Sequence, residues 1–424
     1  MLLQFYVTNY KSIKDQQLFT LLADKSVKEN MSAVMVQGNI NILSSAVIYG
    51  RNASGKSNLL KAIKALQFMV LASSDFKVGT RIQAYEPYTL DSSFRDKPVE
   101  FKMEFIAADN IKYSYEIGFS ERVINYEKLY YYPKSQPAKL FEREGLHITY
   151  SERVTGRKKD IEETLYENQL YLSKVGSDKL EALYYPYHFF NNVLLTYLDI
   201  DRKYEELFIE LFTDRMRSDK HFASNLIKLV KAMDTSVRSI SVNPTHIDAK
   251  SLPEDMTEAE REEFMHKYSY FIRTKHTVFK NDKEDGEIDF KLADESMGTG
   301  KLLVLGGIIL AALAEKQVLL IDEMDNSLHP KLTKVLVKLF NDPVTNPKRA
   351  QLIFTSHEVS LLDNDLFRRD QVWLAEKEYQ GYSHYYTLAD IAGVRKDTPL
   401  EKWYMSGRFG ATPVIDELNL DFDL

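Results

Sequence analysis

Residues 41–58 read Asn-Ile-Leu-Ser-Ser-Ala-Val-Ile-Tyr-Gly-Arg-Asn-Ala-Ser-Gly-Lys-Ser-Asn. Ala46 to Tyr49 is an apolar run suited to a buried strand. It breaks into Gly50-Arg51-Asn52-Ala53-Ser54-Gly55-Lys56-Ser57, which fits G-x-x-x-x-G-K-[ST]. A helix-period run follows, with Leu59, Leu60, Ile63, Leu66, Met69 and Val70 on one face. Gly50 and Gly55 let the backbone turn so that its N–H groups face a phosphate. The positive end of the next helix points at the same anion. Lys56 can reach the β- and γ-phosphates, and the Ser57 hydroxyl can ligate Mg²⁺. A glycine-rich turn without a ligand is the alternative, and the legible strand and helix on either side argue against it. Gly50 to Asn58 (Arg51, Asn52, Ala53 and Ser54 included) is thus the candidate cradle for a nucleoside triphosphate.

Working outward, 424 residues exceed one ordinary core, so two lobes or a domain with insertions are expected. With 26 tyrosines and 23 phenylalanines, well-buried surfaces are expected rather than long disorder. A net charge of −7 makes the chain a poor non-specific DNA binder. The absence of cysteine removes disulfides, thiol catalysis and Cys-based zinc sites. Nine scattered histidines offer no dedicated transition-metal site. The chain opens on strand-like Leu2 to Val7 without a basic-then-apolar leader, and Leu302 to Ala314 falls short of the ~20 residues of a membrane span. A cytoplasmic protein with no membrane partner is expected.

Three segments follow. Residues 1–150 read as an N-terminal lobe carrying the P-loop and a β-rich part. Phe101, Met103 and Phe105 alternate with Lys102 and Glu104, and Ile111 to Phe119 alternate again, giving a hairpin with one buried face. Its tyrosines could stack on bases, but packing one side of a sheet is the simpler reading. Residues 151–240 read as a helical insertion, with Leu207, Leu211, Leu226, Leu229 and Val230 at helical spacing but no sustained heptads. The charged run Asp248 to His266 reads as a short helix or loop. Residues 241–424 return to alternating strands and helices: an apolar helix over Leu302 to Leu313, strands at Val318 to Ile321, Gln351 to Thr355 and Val372 to Ala375, and a helix from Pro330 with Leu332, Val335, Leu336, Leu339 and Phe340 inward. The class is α/β.

Val318 to Glu323, Val-Leu-Leu-Ile-Asp-Glu, supplies the second half of a nucleotide site. Asp322, at the end of a buried strand expected beside the P-loop strand, can hold Mg²⁺. Glu323 sits where a hydrolytic water would lie and is the candidate general base. Further motifs are Glu295-Ser296-Met297-Gly298-Thr299-Gly300-Lys301, Met324 to Pro330, and Thr355-Ser356-His357.

The ordered set resembles the ABC-type ATPases, in the branch with RecF and SMC heads. The resemblance implies a head with a parallel-sheet core, an antiparallel β subdomain and a helical insertion. Residues 50–57 match Walker A, Ser296-Met297-Gly298 the signature, and Val318 to Glu323 Walker B. Asp325 falls in the D-loop and His357 in the switch position. Two heads of that family sandwich two ATP molecules, so Ser296 and Gly298 would serve a neighbour's γ-phosphate, His357 would sense it and Asp325 would couple the sites. Met297 stands where the full signature has glycine, and no glutamine marks the Q-loop; Glu100 holds that place by position. A plain helix-starting turn at Ser296 and a structural histidine at 357 are the simpler readings.

The C-terminal half resembles one group more closely, through Asp322 to Pro330, Gln351 to His357, Arg369 to Trp373, Gly393 to Lys396 and Gly407 to Ala411. That group is the AAA-type ABC ATPases of bacterial phage-defence and abortive-infection systems, the company of RloA and the PARIS ATPase subunit. It implies an ATP-dependent homo-oligomer, a head-to-head dimer or higher, that senses a phage-derived trigger and holds a separately encoded effector, such as a Toprim-like nuclease. The stretch after His357 is shorter than an ordinary nuclease domain. Its acidic pairs, Asp363/Asp365 and Asp421/Asp423, read as a turn and a tail. A RecF- or SMC-like DNA-repair clamp is the alternative, and a transporter ATPase a third. The net charge and missing heptads speak against the clamp, the insertion and tail against the transporter.

Overall fold

Every residue of Ser45–Tyr49 is buried, and the strand is paired on both edges. The computed structural model describes residues 1–176, 180–198, 202–245, 252–253, 255–267, 269–326 and 328–411. They form two units. The first comprises Met1–Leu198, Glu315–Asp325 and the described residues from Val337. The second comprises Asp199–Ala314 and Asn326–Leu336. Of the stretch read as a helical insertion, residues up to Leu198 therefore belong to the first unit and the remainder to the second.

The first unit contains a six-stranded sheet in the order Leu194–Tyr197, Val318–Ile321, Gln351–Thr355, Ser45–Tyr49, Val372–Lys377, Ser383–Thr387. The first five strands are parallel and the last is antiparallel. Two expectations are corrected here. The Asp322 strand does not adjoin the P-loop strand, because Gln351–Thr355 lies between them, pairing Ile353 with both Ala46 and Leu320. All three strands are fully buried and mainly apolar, so hydrophobicity alone does not rank them. Leu194–Tyr197, within the stretch read as helical, completes the sheet through Leu194↔Val318 to Tyr197↔Ile321.

A second, antiparallel sheet has seven strands. It inserts Leu2–Thr8 between Gln17–Thr20 and Val99–Ile106, then continues through Lys112–Phe119, Ile124–Tyr132, Ala138–Glu144 and His147–Tyr150. The Val99–Ile106/Lys112–Phe119 hairpin pairs Phe101 with Ile117 and Met103 with Tyr115. Tyr113 and Tyr115 are buried, so this stripe packs the sheet. Tyr115 donates to Glu127 at 2.8 Å. Glu127 also accepts the backbone N–H groups of Tyr171 and Leu172, and Arg143 faces it at 3.4 Å with both side chains fully buried. Glu100 sits in this sheet, opposite Thr8 and Gly118.

Helix Lys56–Ala72 buries Leu59, Leu60, Ile63, Leu66, Met69 and Val70, the face its period predicts. Helix Pro330–Asn341 departs from its predicted face. Leu336 and Phe340 are buried, but Val335 is 42% exposed while Thr333 and Val337 are inside. Asn341 at its end accepts from the Ser44 and Ser45 hydroxyls, which explains why polar residues head the P-loop strand.

The second unit has helices Arg202–Ser218 and Lys220–Met233, a three-stranded antiparallel sheet of Val237–Pro244, Tyr270–Lys280 and Lys283–Lys291, and helix Met297–Glu315. On Arg202–Ser218 the buried apolar positions among the described residues are Phe208, Phe212 and Met216, whereas Leu207 and Leu211 face outward. Helix Met297–Glu315 is long and apolar enough to cross a membrane by length and composition. Its apolar side chains from Leu302 to Ile309 are instead buried in the protein. Glu258–Lys267 is helical, while residues 246–251 and the Asp421/Asp423 tail lie outside the described residues. Asp363 to Asp365 forms a turn in which the Asp365 N–H donates to the Asp363 carboxylate.

Candidate nucleotide site

The P-loop is shaped by its glycines and held by distant strands. Gly55 immediately precedes helix Lys56–Ala72 at φ +104°, a left-handed conformation that a side chain strains. A Cβ there would also collide with the Ser383 hydroxyl. Ser383 donates to the Ser54 carbonyl at 2.6 Å, and Tyr385, two residues on and therefore on the same strand face, donates to the Gly55 carbonyl at 2.7 Å. Arg51 reaches the Lys377 carbonyl at 3.0 Å. The Ser12 hydroxyl bonds that of Ser383 at 2.7 Å and accepts from Asn58 at 2.7 Å. Asn52 and Ala53 are exposed at the tip, with Ala53 at φ +62°. Ser12, Ser383 and Tyr385 carry no motif. Only the alternation Ser-His-Tyr in a strand hinted that Ser383 and Tyr385 share a face.

Lys56 is buried and donates to the Gly50 carbonyl at 2.8 Å and the Arg51 carbonyl at 3.3 Å. Burial pushes its ammonium below the ordinary lysine range, while the nearby carboxylates of Asp322, Glu323 and Asp325 oppose that shift. The two halves of the predicted site therefore share one electrostatic neighbourhood. Ser57 follows Lys56 in the first helical turn, partly exposed.

Across the sheet, Asp322 and Glu323 leave the end of Val318–Ile321. Glu323 has φ +48°, uncommon for a non-glycine residue and typical of functional turns. Thr355, at the end of the intervening strand, holds this turn: its hydroxyl accepts the Glu323 N–H at 2.7 Å and donates to Asp322 at 2.5 Å. The Asp325 carboxylate accepts the His357 N–H at 3.2 Å, and His357 Nε2 lies 3.9 Å from Glu323 Oε1. Glu323 and His357 are both well exposed. Thr355 is a functional candidate to which the motif Thr355-Ser356-His357 gave no role of its own, because it looks like the last residue of a buried strand. A cavity of about 590 Å³ opens beside the loop, lined by Lys11, Ser12, Asn58, Tyr85, Tyr88 and Lys377.

Ser296 and Gly298 lie in the second unit. The Ser296 hydroxyl accepts the Thr299 N–H at 3.1 Å and so acts as a helix N-cap. Thr299 in turn donates to Asp234 at 2.8 Å, and Glu295 pairs with His276 at 2.7 Å. Met297 is 83% exposed.

No curated protein matches the chain. Among solved structures, the SMC head domain from Thermotoga maritima shares 14% identity at a TM-score of 0.39, covering 91% of this chain and 98% of that one. The Pyrococcus furiosus Smc head bound to the C-terminal domain of ScpA shares 13% at 0.42, covering 91% and 96%. The recombination mediator RecF with ATP shares 16% at 0.37, covering 91% and 97%. Residues 45–363, from the P-loop strand through His357, match the family described as "AAA domain, putative AbiEii toxin, Type IV TA system", and the chain belongs to that family.

Proposed function

We propose that this protein binds ATP with Mg²⁺ and hydrolyses it slowly, and that the cycle operates an oligomeric sensor in a cytoplasmic anti-phage, abortive-infection system. The observation that carries the catalytic part is the gathering of Lys56, Asp322, Glu323, Asp325 and His357 around one P-loop. The donor set fits the cofactor. Ser57 and Asp322 offer the hard oxygens that Mg²⁺ takes, and phosphate oxygens would complete its shell. Among the described residues no group of three or more His, Asp or Glu would hold a metal on its own. Bound ATP·Mg²⁺ supplies the phosphoryl group and part of the charge that offsets it. Lys56 and the loop N–H groups hold the phosphates, and Glu323 orients the attacking water. Ser296, Gly298 and Asp325 would complete a neighbouring protomer's site.

The family description, with its toxin and toxin–antitoxin terms, supports the defence reading. In that reading a phage-derived trigger loosens the assembly and frees a separately encoded effector, a Toprim-like nuclease. The test is to purify the Glu323→Gln protein with ATP from its own host and identify by mass spectrometry what accompanies it. A stoichiometric effector without DNA is expected. Co-purified DNA with repair proteins would replace this reading with the clamp. Mixing Lys56→Ala with Ser296→Arg protomers checks the shared site: turnover should recover above either alone, and a mixture that never does so removes the trans arrangement.

A further inference from the structure

Strand Lys283–Lys291 is exposed at all nine positions, and among the described residues it pairs only with Tyr270–Lys280. Its outer edge therefore offers a row of backbone N–H and C=O groups. The register sets Thr274 opposite Phe290 and His276 opposite Ile288. Side chains of paired residues share a face, so Phe290, Ile288 and, further along, Val278 line one side of the hairpin. They are 39%, 48% and 36% exposed. Gly286 continues that side with open space where a side chain would stand. Glu287 and Asp289 alternate onto the opposite side, and a register shift between Thr277 and Phe279 brings Glu284, paired with Phe279, onto that side too. Glu287 there lies 3.3 Å from Lys275 and 3.8 Å from Arg238.

Charges on an edge guard it against random pairing. A merely guarded edge has no use for an exposed isoleucine and phenylalanine on its other side, where solvent contact is costly. A second copy is a poor occupant. Pairing the whole strand antiparallel with itself sets Asp285 against Asp289, Glu287 against Glu287 and Lys283 against Lys291, all like charges directly opposed.

We infer that this edge docks an extended segment of another protein in which basic and apolar residues alternate. The basic residues would sit opposite Glu287 and Asp289, and the apolar ones opposite Ile288 and Phe290. Backbone hydrogen bonds provide affinity, and the two alternating faces set register and selectivity. The hairpin root gives docking a route to the signature turn. Thr274 and His276 both bond the carboxylate of Glu295, the residue before Ser296. The binding does not rest on the ATPase reading; only its consequence for hydrolysis does.

The test titrates labelled, end-capped nine-residue peptides into the full chain by fluorescence anisotropy. One alternates lysine and valine. A second has the same composition in two blocks, and a third is the alternating peptide with every second amide N-methylated to block strand pairing. The alternating peptide should bind about tenfold more tightly than either control. Ile288→Asp and Phe290→Asp should each weaken it by about tenfold with unchanged thermal unfolding. Equal binding of the block or N-methylated peptide would overturn strand docking in favour of simple charge attraction. A dimer that Phe290→Asp converts to monomer would overturn it in favour of a second copy. Loss of hydrolysis in Glu323→Gln leaves the peptide result untouched, so the two readings fail separately.

Discussion

Thr355 donates its hydroxyl hydrogen to Asp322 at 2.5 Å and accepts the N–H of the next residue, Glu323, at 2.7 Å. One side chain thus sets both the candidate Mg²⁺ carboxylate and the strained turn that carries the candidate base. Thr355→Val keeps the shape and removes both bonds. ATP turnover should fall about 10–100-fold, the range for partners that orient metal ligands, with nucleotide binding largely kept. Thr355→Ser should restore most of the rate. Single-turnover hydrolysis beside a nucleotide-binding titration separates this from a folding defect.

Lys56→Ala should abolish nucleotide binding. Glu323→Gln should bind ATP normally and lose about 10²–10⁴-fold in hydrolysis, the span of a lost general base. Binding by equilibrium dialysis and phosphate release report the two effects independently. Wild-type hydrolysis in Glu323→Gln would remove Glu323 as the base.

The pH response of ATP binding follows from Lys56. Burial lowers its pKa below 10.5, so the folded chain releases this proton earlier than the unfolded chain does. The burial cost is thus felt at neutral pH and relieved as pH climbs from the lowered pKa towards 10.5. A phosphate against Lys56 favours the charged form and pulls the proton back. Binding should therefore take up a proton, and weaken, as pH rises through that window. Calorimetry in two buffers of different ionisation heat measures the uptake. Lys56→Arg, which stays charged, should show none.

Gly55→Ala tests the conformation and the space around the loop together. The positive φ and the clash with Ser383 should cost about 1–3 kcal/mol and displace the first helical turn. Gly55→Ala with Ser383→Ala removes the nearest contact but leaves the Ser12 hydroxyl 2.8 Å from the new Cβ and the backbone strain in place. Denaturant unfolding should show partial recovery of stability; full recovery would mean that φ at 55 is immaterial.

In the seven-stranded antiparallel sheet, Glu127 and Arg143 form a fully buried pair. Arg143→Met leaves the Glu127 carboxylate to Tyr115 and two backbone N–H groups. It should destabilise the first unit by about 3–5 kcal/mol. Replacing both residues with apolar ones of similar volume should recover much of that loss. Chemical denaturation of the three variants decides between a stabilising pair and a merely satisfied one.

Local chemistry determined a good deal from the sequence alone. The P-loop was legible because its glycines, lysine and flanking apolar runs act within a few residues of each other. The same holds for the strand ending in Asp322-Glu323 and for the buried face of Lys56–Ala72. Tertiary structure decided whatever depends on which strand lies beside which. It placed Gln351–Thr355 between the two halves of the site and so made Thr355 their link. It brought Leu194–Tyr197 into the sheet from a stretch that reads as helical. It also carried Ser383 and Tyr385 to a loop more than 300 residues earlier in the chain. Periodicity tells a residue which way to face but not what it will meet there. The meeting is set by strand order, and several buried apolar strands of equal hydrophobicity leave that order open until the chain has folded.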